Sequence, residues 1–433
     1  MKSYTRNLYF FPVIALITSC SSLSEKSPAA NAAPKQPILT SAKTPQNLSL
    51  SSACSLALKH HSSMATYPMD RRAADARVLN ATQLPSPELS IDAEDFLGIG
   101  AVRGLSSAML NTVFSQLIER GGKRQARVDA MQSQGLVMDA EYEVKRRELI
   151  RQTCEFYIKA LAAQEDMLYR KASLKRSKET LDLVKSLFDA ERVTISAVNQ
   201  AELEVYQSEL DLATAEKQKE RTSRELTSLW GDSRSALFYY NSVGNPPNSL
   251  ASQKVQKQGL LKHPSIRVVE AQVKQAESNL MLAKANRHAD VNVFGGVRNN
   301  NDNNSSSGLL GISLPLGVFK RGRYTTAEMQ AMADKASTEL LGAKRELQSD
   351  FALAWSDLVA AHQEARTVKE KLLPSALKLF QSADSLFREG KISSLEYLAA
   401  KQQFHEVRGR WLTSRRDYQL NAIRVQSLTN LPL

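Results

Sequence analysis

The sequence predicts a mainly α-helical protein with a small β part, in which a strand hairpin and a set of long antiparallel coiled-coil helices occur twice. Three observations predict it. First, the second half of the chain replays the first. Ser186-Leu187-Phe188 returns as Ser385-Leu386-Phe387, Ser228-Leu229 as Ser427-Leu428, and Arg146-Arg147-Glu148-Leu149 as Lys344-Arg345-Glu346-Leu347, at an offset near 199 residues. A repeat this long is far beyond the roughly 20 to 50 residues of a solenoid unit and implies two similar halves set side by side. Second, each half contains short stretches with the period-2 alternation of strands. Third, each half then passes into helical spacing too long for a globule. From Arg124 to about Ala190 there is no proline, and Gly135 is the only glycine; about 66 residues of helix reach about 100 Å.

Residues 1–19 read as a signal peptide. Lys2 and Arg6 give a positive n-region, and Phe10 to Ile17, interrupted by Pro12, is too short to span a bilayer. The stretch ends Ile17-Thr18-Ser19-Cys20, which resembles the bacterial lipoprotein cleavage box: a small residue before a thiol that can take a diacylglycerol. Cys20 is then the mature N-terminus and the site of lipid attachment. Ser21 follows it rather than Asp, which in such lipoproteins favours the outer membrane. Residues 20–46, rich in Ser, Ala, Pro and Lys, form a flexible tether.

The first repeat covers residues 47–231. A helix runs from about Leu50 to Gln83, where Pro85 and Pro87 end it. A hairpin follows over 88–118. Leu89, Ile91 and Ala93 alternate with Ser90, Asp92 and Glu94, and a second strand covers about Ala108 to Ile118. Long helices occupy 124–230. Leu174, Leu181 and Phe188 fall seven apart with Val184 between, and Leu203, Tyr206, Leu210 and Ala213 step by three and four, as in a coiled-coil seam. Residues 232–262, with Asn245-Pro246-Pro247, read as a linker of little regular structure. The second repeat, 263–433, holds a hairpin over 290–316 and long helices over 323–430. Val291, Val293 and Val297 share one strand face, Asn299 to Ser307 form a solvated loop, and Leu310, Ile312, Leu314 and Leu316 line the returning strand. Pro374 predicts a kink or break in the second long helix. Strands of nine to eleven residues suit tilted membrane-spanning strands, but two hairpins cannot close a barrel alone, so the chain must associate with copies of itself.

Composition narrows the function. The net charge is +12 with 24 % charged and 6 % aromatic residues. The cations are spread beside Glu and Gln along helices, with no basic patch interleaved with stacking aromatics, so nucleic acid is not a predicted partner. None of the six histidines, His60, His61, His263, His288, His362 and His405, has metal-ligand spacing, and no catalytic constellation or nucleotide-binding glycine motif occurs. No enzyme, cofactor or metal site is predicted. Cys54 and Cys154 lie in helical patterns about 100 residues apart and either pair or stay as buried thiols. Lys123, Arg124, Arg321 and Arg323 sit where strand becomes helix. Cations there oppose the helix macrodipole, which suggests contact with phospholipid headgroups.

Several motifs resemble the TolC-type outer-membrane efflux family. Leu48-Ser49-Leu50 with Ala53, Ala57 and Leu58 looks like its opening helix, and Pro87 with Leu89 and Glu94 like the lead-in to its first strand. Ser313-Leu314-Pro315-Leu316 looks like the exit from its last strand, and Gly390-Lys391-Ile392-Ser393 like its periplasmic turn. Glu119-Arg120-Gly121-Gly122-Lys123-Arg124 resembles a motif of the heavy-metal efflux subfamily. There are departures. His60-His61-Ser62-Ser63 stands where the family often has Asn-Pro, His288-Ala289 replaces a proline before the third strand, and an aromatic-rich N-terminal motif of the multidrug lipoproteins is absent.

The resemblance implies a homotrimer, with four strands per protomer in a twelve-strand outer-membrane barrel above a periplasmic α-helical barrel. It implies a passive export duct working with a periplasmic adaptor and an inner-membrane transporter such as an RND pump, with the subfamily motif tilting the cargo towards metal cations and leaving drugs or type I protein secretion as alternatives. Glu396 takes the place of an acid lining the periplasmic gate. Val193, Thr194, Ile195 and Ser196, with Gly390, Ile392, Ser393, Ser394 and Leu395, form the helix tips expected to meet the adaptor; Gly390 is a natural C-cap, and Thr194 and Ser393 natural N-caps. The rival from another class is a non-channel coiled-coil lipoprotein of the periplasm, with the strands forming a small sheet.

Overall fold

The computed structural model describes residues 46–100, 105, 107–231, 238–250, 252–253, 257, 259–315 and 322–429. The expected signal peptide, Cys20, the tether up to residue 45, Arg321 and Leu316 lie outside the described residues. The first repeat opens with β1 (Gln46–Leu48), α1 (Leu50–His60), α2 (Ser62–Ala65) and α3 (Tyr67–Thr82). It continues through β2 (Glu88–Glu94), β3 (Met109–Ile118), α4 (Lys123–Asp189) and α5 (Ile195–Thr227). A strand β4 (Phe238–Tyr240) precedes α6 (Pro264–Ala285), β5 (Val291–Asn300), β6 (Ser305–Ser313), α7 (Arg323–Thr367), α8 (Leu373–Arg388) and α9 (Ser394–Thr429).

The opening helix is not continuous from Leu50 to Gln83. His61 adopts an extended conformation, and its ring nitrogen accepts from the Ser63 amide, capping α2. The same device recurs in the second repeat, where His263 caps α6 through the Ser265 amide at 3.3 Å. Where the sequence places His-Ser-Ser and His-Pro-Ser, an imidazole acts as the N-cap acceptor usually supplied by Asn or Asp. Tyr67 then stacks on Tyr142 with ring centroids 3.8 Å apart, fixing α3 against α4.

The four long strands form one antiparallel sheet in the order β2-β3-β5-β6, so the central pairing of β3 with β5 joins the two repeats. The residues 299–307 are not all loop. Asn299 and Asn300 pair with Ser306 and Ser305, leaving a turn at 301–304. Asn300 Oδ1 accepts from the Asp302 amide, and Asn304 takes the left-handed conformation, φ 51°. β6 ends at Ser313, so Leu314 lies beyond the strand. The inter-repeat segment is also more ordered than a linker. β4 pairs in parallel with β1, Leu48 against Tyr240. The pair is held from α4, where the Gln164 amide bonds both backbone groups of Tyr240 and the Tyr157 hydroxyl donates to Leu48 O at 2.8 Å.

α4 is the spine. At 67 residues it runs about 100 Å and contacts α1, α3, α5, α6 and α9 in turn. Pro374 does not break the second long helix. A five-residue π turn, Val368–Leu372, sits immediately before α8 and lets the helix continue across a residue that cannot donate a hydrogen bond. The α4–α5 seam is made of small side chains, Ser173, Ser177, Ala197, Ala201 and Val205, with Val184 and Val198. Leu203, Tyr206 and Leu210, which the helical spacing points to as the seam, are 69, 65 and 61 % exposed. α5 carries two stripes at the same spacing. The small one lets the helices approach closely, so the large one is left outside.

Candidate functional site

The sheet divides its chemistry between two faces. Cross-strand register places Leu89, Ile91, Leu110, Phe114, Ile118, Val293, Val297, Leu310 and Ile312 on one face. Of these, Leu310 is 87 % and Ile312 71 % exposed. The other face carries the charged and most of the hydroxyl groups, Glu88, Ser90, Asp92, Glu94, Asn111, Arg298, Ser305 and Ser307, interspersed with Met109, Val113, Leu117 and Leu309. Asp92, Asn111, Arg298 and Ser307 fall in one row across all four strands, and Arg298 Nε donates to Asn111 Oδ1 at 2.9 Å. Phe294 lies on the polar face across Gly311, where a Cβ would come within 2.3 Å of the ring. Among the described residues, β2 and β6 each pair on one side only, which leaves two sheet edges open. Such edges are templates for pairing with another chain. Among the described residues, no helix is long and apolar enough to cross a membrane.

Below the sheet, the Glu119-to-Arg124 motif is a structural junction. Gly121 and Gly122 have φ 72° and 71°, and a Cβ on Gly121 would overlap the His288 ring at 2.4 Å. Glu119 pairs with Arg127 at 2.6 Å, and Arg127 also donates to the backbone oxygens of Ala81 and Gln83 at the end of α3. Lys123 is not a headgroup ligand. Its side chain is 7 % exposed, and Nζ donates to both carboxylate oxygens of Asp290 at 2.7 Å. This buried pair ties the start of α4 to the start of β5 and removes the charge from the basic cluster. Arg124 and Arg323 are exposed, and Arg323 occupies in the second repeat the place of Lys123, directly after a left-handed glycine.

At the far end, the two helical hairpins share one core: Val184, Ala197, Val198 and Ala201 with Ala383, Phe387, Tyr397 and Ala400. Phe387 stacks on Tyr397 at 4.7 Å, and burial raises the Tyr397 hydroxyl above its ordinary pKa. Gly390, directly after the C-cap Glu389, takes φ 72°, with Lys391 N donating to Leu386 O at 2.8 Å. Ser393 and Glu396 form a capping box. Glu396 N donates to Ser393 Oγ, while the Glu396 carboxylate accepts from Ser393 N at 3.0 Å and from its hydroxyl. The Ser-x-x-Glu spacing is the sequence signal for it. Thr194 is the N-cap of α5 but makes no side-chain cap bond. Of the tip residues, Val193 and Ile392 pack on the shared core, whereas Ile195 and Leu395 are 56 and 67 % exposed. Thr194, Ser196, Gly390 and Ser393 are exposed too, and Ser394 is half-buried.

Above the tip, Lys401 is buried and pairs with Glu204 at 2.5 Å, joining α9 to α5. His405 contacts Tyr169 and Ser173 of α4; desolvation first, then the Lys401 charge, lowers its pKa to about 4. Among the described residues, no group of three or more His, Cys, Asp or Glu side chains could hold a metal ion.

Comparison with known proteins gives one answer. The family model described as outer membrane efflux protein matches residues 53–232 and 255–431. The cobalt-zinc-cadmium resistance protein CzcC of Cupriavidus metallidurans is 25 % identical over 368 residues, covering 84 % of this chain and 86 % of that protein. Among solved structures, CusC superposes with a TM-score of 0.73 at 15 % identity, covering 92 % of this chain and 97 % of that one. VceC of Vibrio cholerae gives 0.69 at 17 % identity, over 88 and 96 %.

Proposed function

Because the chain belongs to the outer membrane efflux protein family, a family of passive channels rather than enzymes, we propose that three copies of it form the outer-membrane duct of a tripartite efflux system, carrying metal cations outward. The observation that carries this reading is the four-stranded sheet, one face dominated by Leu, Ile, Val and Phe, the other carrying all its charged residues, with β2 and β6 at its edges. A bilayer tolerates strands only when every backbone group is paired, so the edges of β2 and β6 must meet those of further copies. The helical part supports the same closure. α5 presents Leu203, Tyr206 and Leu210 at one edge of the bundle, and the other edge presents Leu372, Leu379 and Leu386, seven apart and 38, 46 and 38 % exposed. On this reading the apolar sheet face meets lipid and the Asp92–Arg298 row lines the lumen. Cys20 carries the lipid anchor, and Arg124, Arg321 and Arg323 lie at the headgroup level. Ile195 and Leu395 give the tips apolar contacts for a periplasmic adaptor, which couples the duct to an inner-membrane pump. Glu396 contributes one carboxylate per copy to the periplasmic opening. The metal cargo rests on CzcC and on the Glu119-to-Arg124 motif.

The test is to extract the protein from outer membranes in detergent, determine its mass and measure conductance in planar bilayers. A trimer with ion conductance is expected. A lone, non-conducting subunit overturns the duct and leaves the coiled-coil lipoprotein. Deleting the chain from its host should raise intracellular cobalt, zinc or cadmium. Unchanged metal levels with raised drug or retained secreted protein would reassign the cargo.

A further inference from the structure

Cys54 on α1 and Cys154 on α4 stand side by side in the first core, Sγ to Sγ 3.8 Å, across 100 residues of chain. Cys154 is 1 % exposed and Cys54 is half-buried. Both line an open cleft of about 700 Å³ together with Ser51, Leu58, Arg147 and Val243, so the pair communicates with solvent through Cys54. Neither sulfur takes part in the pore wall, the junction or the tips.

We propose that Cys54 and Cys154 are joined by a disulfide in the exported protein, stapling α1 to α4. The compartment is the first reason. On the proposed outer-membrane reading, on which the disulfide rests, the helices lie in the periplasm, where disulfides form and persist. Geometry is the second. The sulfurs are already in van der Waals contact at 3.8 Å, against a bond length of about 2.05 Å, and no other side chain stands between them. The third is what the bond would do. α1 has 11 residues, too short to be stable as an isolated helix, and it follows directly on the three-residue strand β1. A link closing a loop of this length restricts the unfolded chain strongly and fixes the start of the fold to its longest helix.

The chemistry balances with a thiol–disulfide oxidoreductase of the periplasm as oxidant. The Cys54 thiolate attacks one sulfur of the oxidant's disulfide and expels the other as a thiolate. Cys154 then attacks the Cys54 sulfur of the mixed disulfide and expels the second. The chain's two thiols lose two protons and two electrons, and the oxidant's disulfide takes them up as a dithiol. The order follows from the site. Cys54 is the accessible sulfur, and the hydrogen bond from Cys154 lowers its pKa, while the same bond and burial raise that of Cys154.

The experiment uses the full chain recovered from the outer-membrane fraction, denatured without reductant in excess alkylating agent and mapped by peptide mass. The expected result is the Cys54 and Cys154 peptides recovered joined, two hydrogens lighter than their sum and unalkylated. After reduction each should take one alkyl group. Recovery of both as alkylated free thiols, or of either joined to another thiol, overturns the disulfide while leaving the channel reading intact, because the fraction itself reports location. In Cys54→Ser, which lacks the sulfur that meets the oxidant, the buried Cys154 should become fully alkylated upon denaturation without reductant. If it stays protected there, the wild-type protection has another origin and the proposal fails.

Discussion

α5 and α9 hold the same place in the two repeats, each the helix that returns from a tip, yet their surroundings differ. α5 packs chiefly on α4, whereas α9 packs on α4, α7 and α8. At the offset of 199 residues, the exposed Leu203, Tyr206 and Leu210 correspond to Gln402, His405 and Gly409. α5 carries large apolar side chains where α9 carries polar or minimal ones, although Leu203 and Gln402 line one open cleft between the two helices. Duplication therefore preserved the backbone plan while the two copies diverged in the polarity of these positions. A large apolar stripe kept on an edge is a surface awaiting a partner. A half-buried histidine on the enclosed helix belongs to the protomer's own packing.

The largest effect should come from breaking the edge. Leu203→Glu with Leu210→Glu places two charges on a face that a second copy would bury. Since both positions are exposed in the single chain, the protomer should keep its helical circular dichroism and lose its trimer in native mass measurement. Gln402→Glu, at the α9 counterpart of Leu203, should leave the trimer in place. If the double α5 variant stays trimeric, the edge assignment is wrong.

The enclosed helix should show itself through pH. His405 is neutral in the fold, with its pKa lowered to about 4, and ordinary, near 6.5, when unfolded. Its neighbours are Tyr169, Ser173, Lys401, Glu204 and the guanidinium groups of Arg170, Arg176 and Arg408. Below about pH 6.5 the unfolded chain takes up a proton that the folded one refuses, so stability falls as pH drops from there to about 4 and is unaffected above. The site is partly open to solvent, which reduces the effect to on the order of 1–2 kcal/mol. His405→Gln should flatten that acid limb in thermal unfolding from pH 7 to pH 4. An unchanged limb would show that His405 is not the titrating group.

The fold class was legible because it rests on features that survive without contacts. These are the offset repetition, the proline-free run into α4 and the alternation at Leu89, Ile91, Val291 and Val293. What was not legible depends on which of two equivalent faces finds a neighbour. Leu203, Tyr206 and Leu210 look like a seam by spacing, and only the close approach allowed by Ala197 and Ala201 assigns the seam elsewhere. Lys123 reads as one of a headgroup-facing basic cluster until β5 brings Asp290 to it from 167 residues away. The histidine cap at His61 was readable only as a departure from an Asn-Pro pattern, and the one at His263 not at all, because an imidazole acceptor at that position has no strong propensity signal. The capping box at Ser393 and Glu396 is present in the Ser-x-x-Glu spacing.

The tips sharpen the comparison on a smaller scale. Each helical hairpin turns through a left-handed residue. In the second tip it is Gly390, φ 72°, and in the first it is Glu191, φ 56°. Both make the same closing bonds, Lys391 N to Leu386 O and Arg192 N to Leu187 O. A side chain in this region costs about 1–2 kcal/mol, so Gly390→Ala should destabilise the second tip by about that much, and Glu191→Gly should stabilise the first by roughly 1 kcal/mol or less after the extra unfolded-state freedom of glycine is counted. Amide hydrogen exchange at residues 186–198 and 385–397 would read both. Equal protection of the two tips in the wild-type chain would mean that the backbone asymmetry is compensated elsewhere.

The smallest effect separates Glu396's two possible duties. Its carboxylate closes the capping box, for which glutamine serves as well as glutamate, whereas only a charge can bias ions in the opening. Ser393→Ala should remove the cap and cost about 1 kcal/mol while leaving the charge in place. Glu396→Gln should keep the cap, changing the melting temperature little, and lower the cation preference of single channels. The first tip offers the internal control, since Ala197 stands where Glu396 stands in the second and Thr194 makes no cap bond. If Glu396→Gln destabilises as much as Ser393→Ala and leaves ion selectivity unchanged, then Glu396 is a cap and nothing more, and the negative charge at the opening must be sought on another helix.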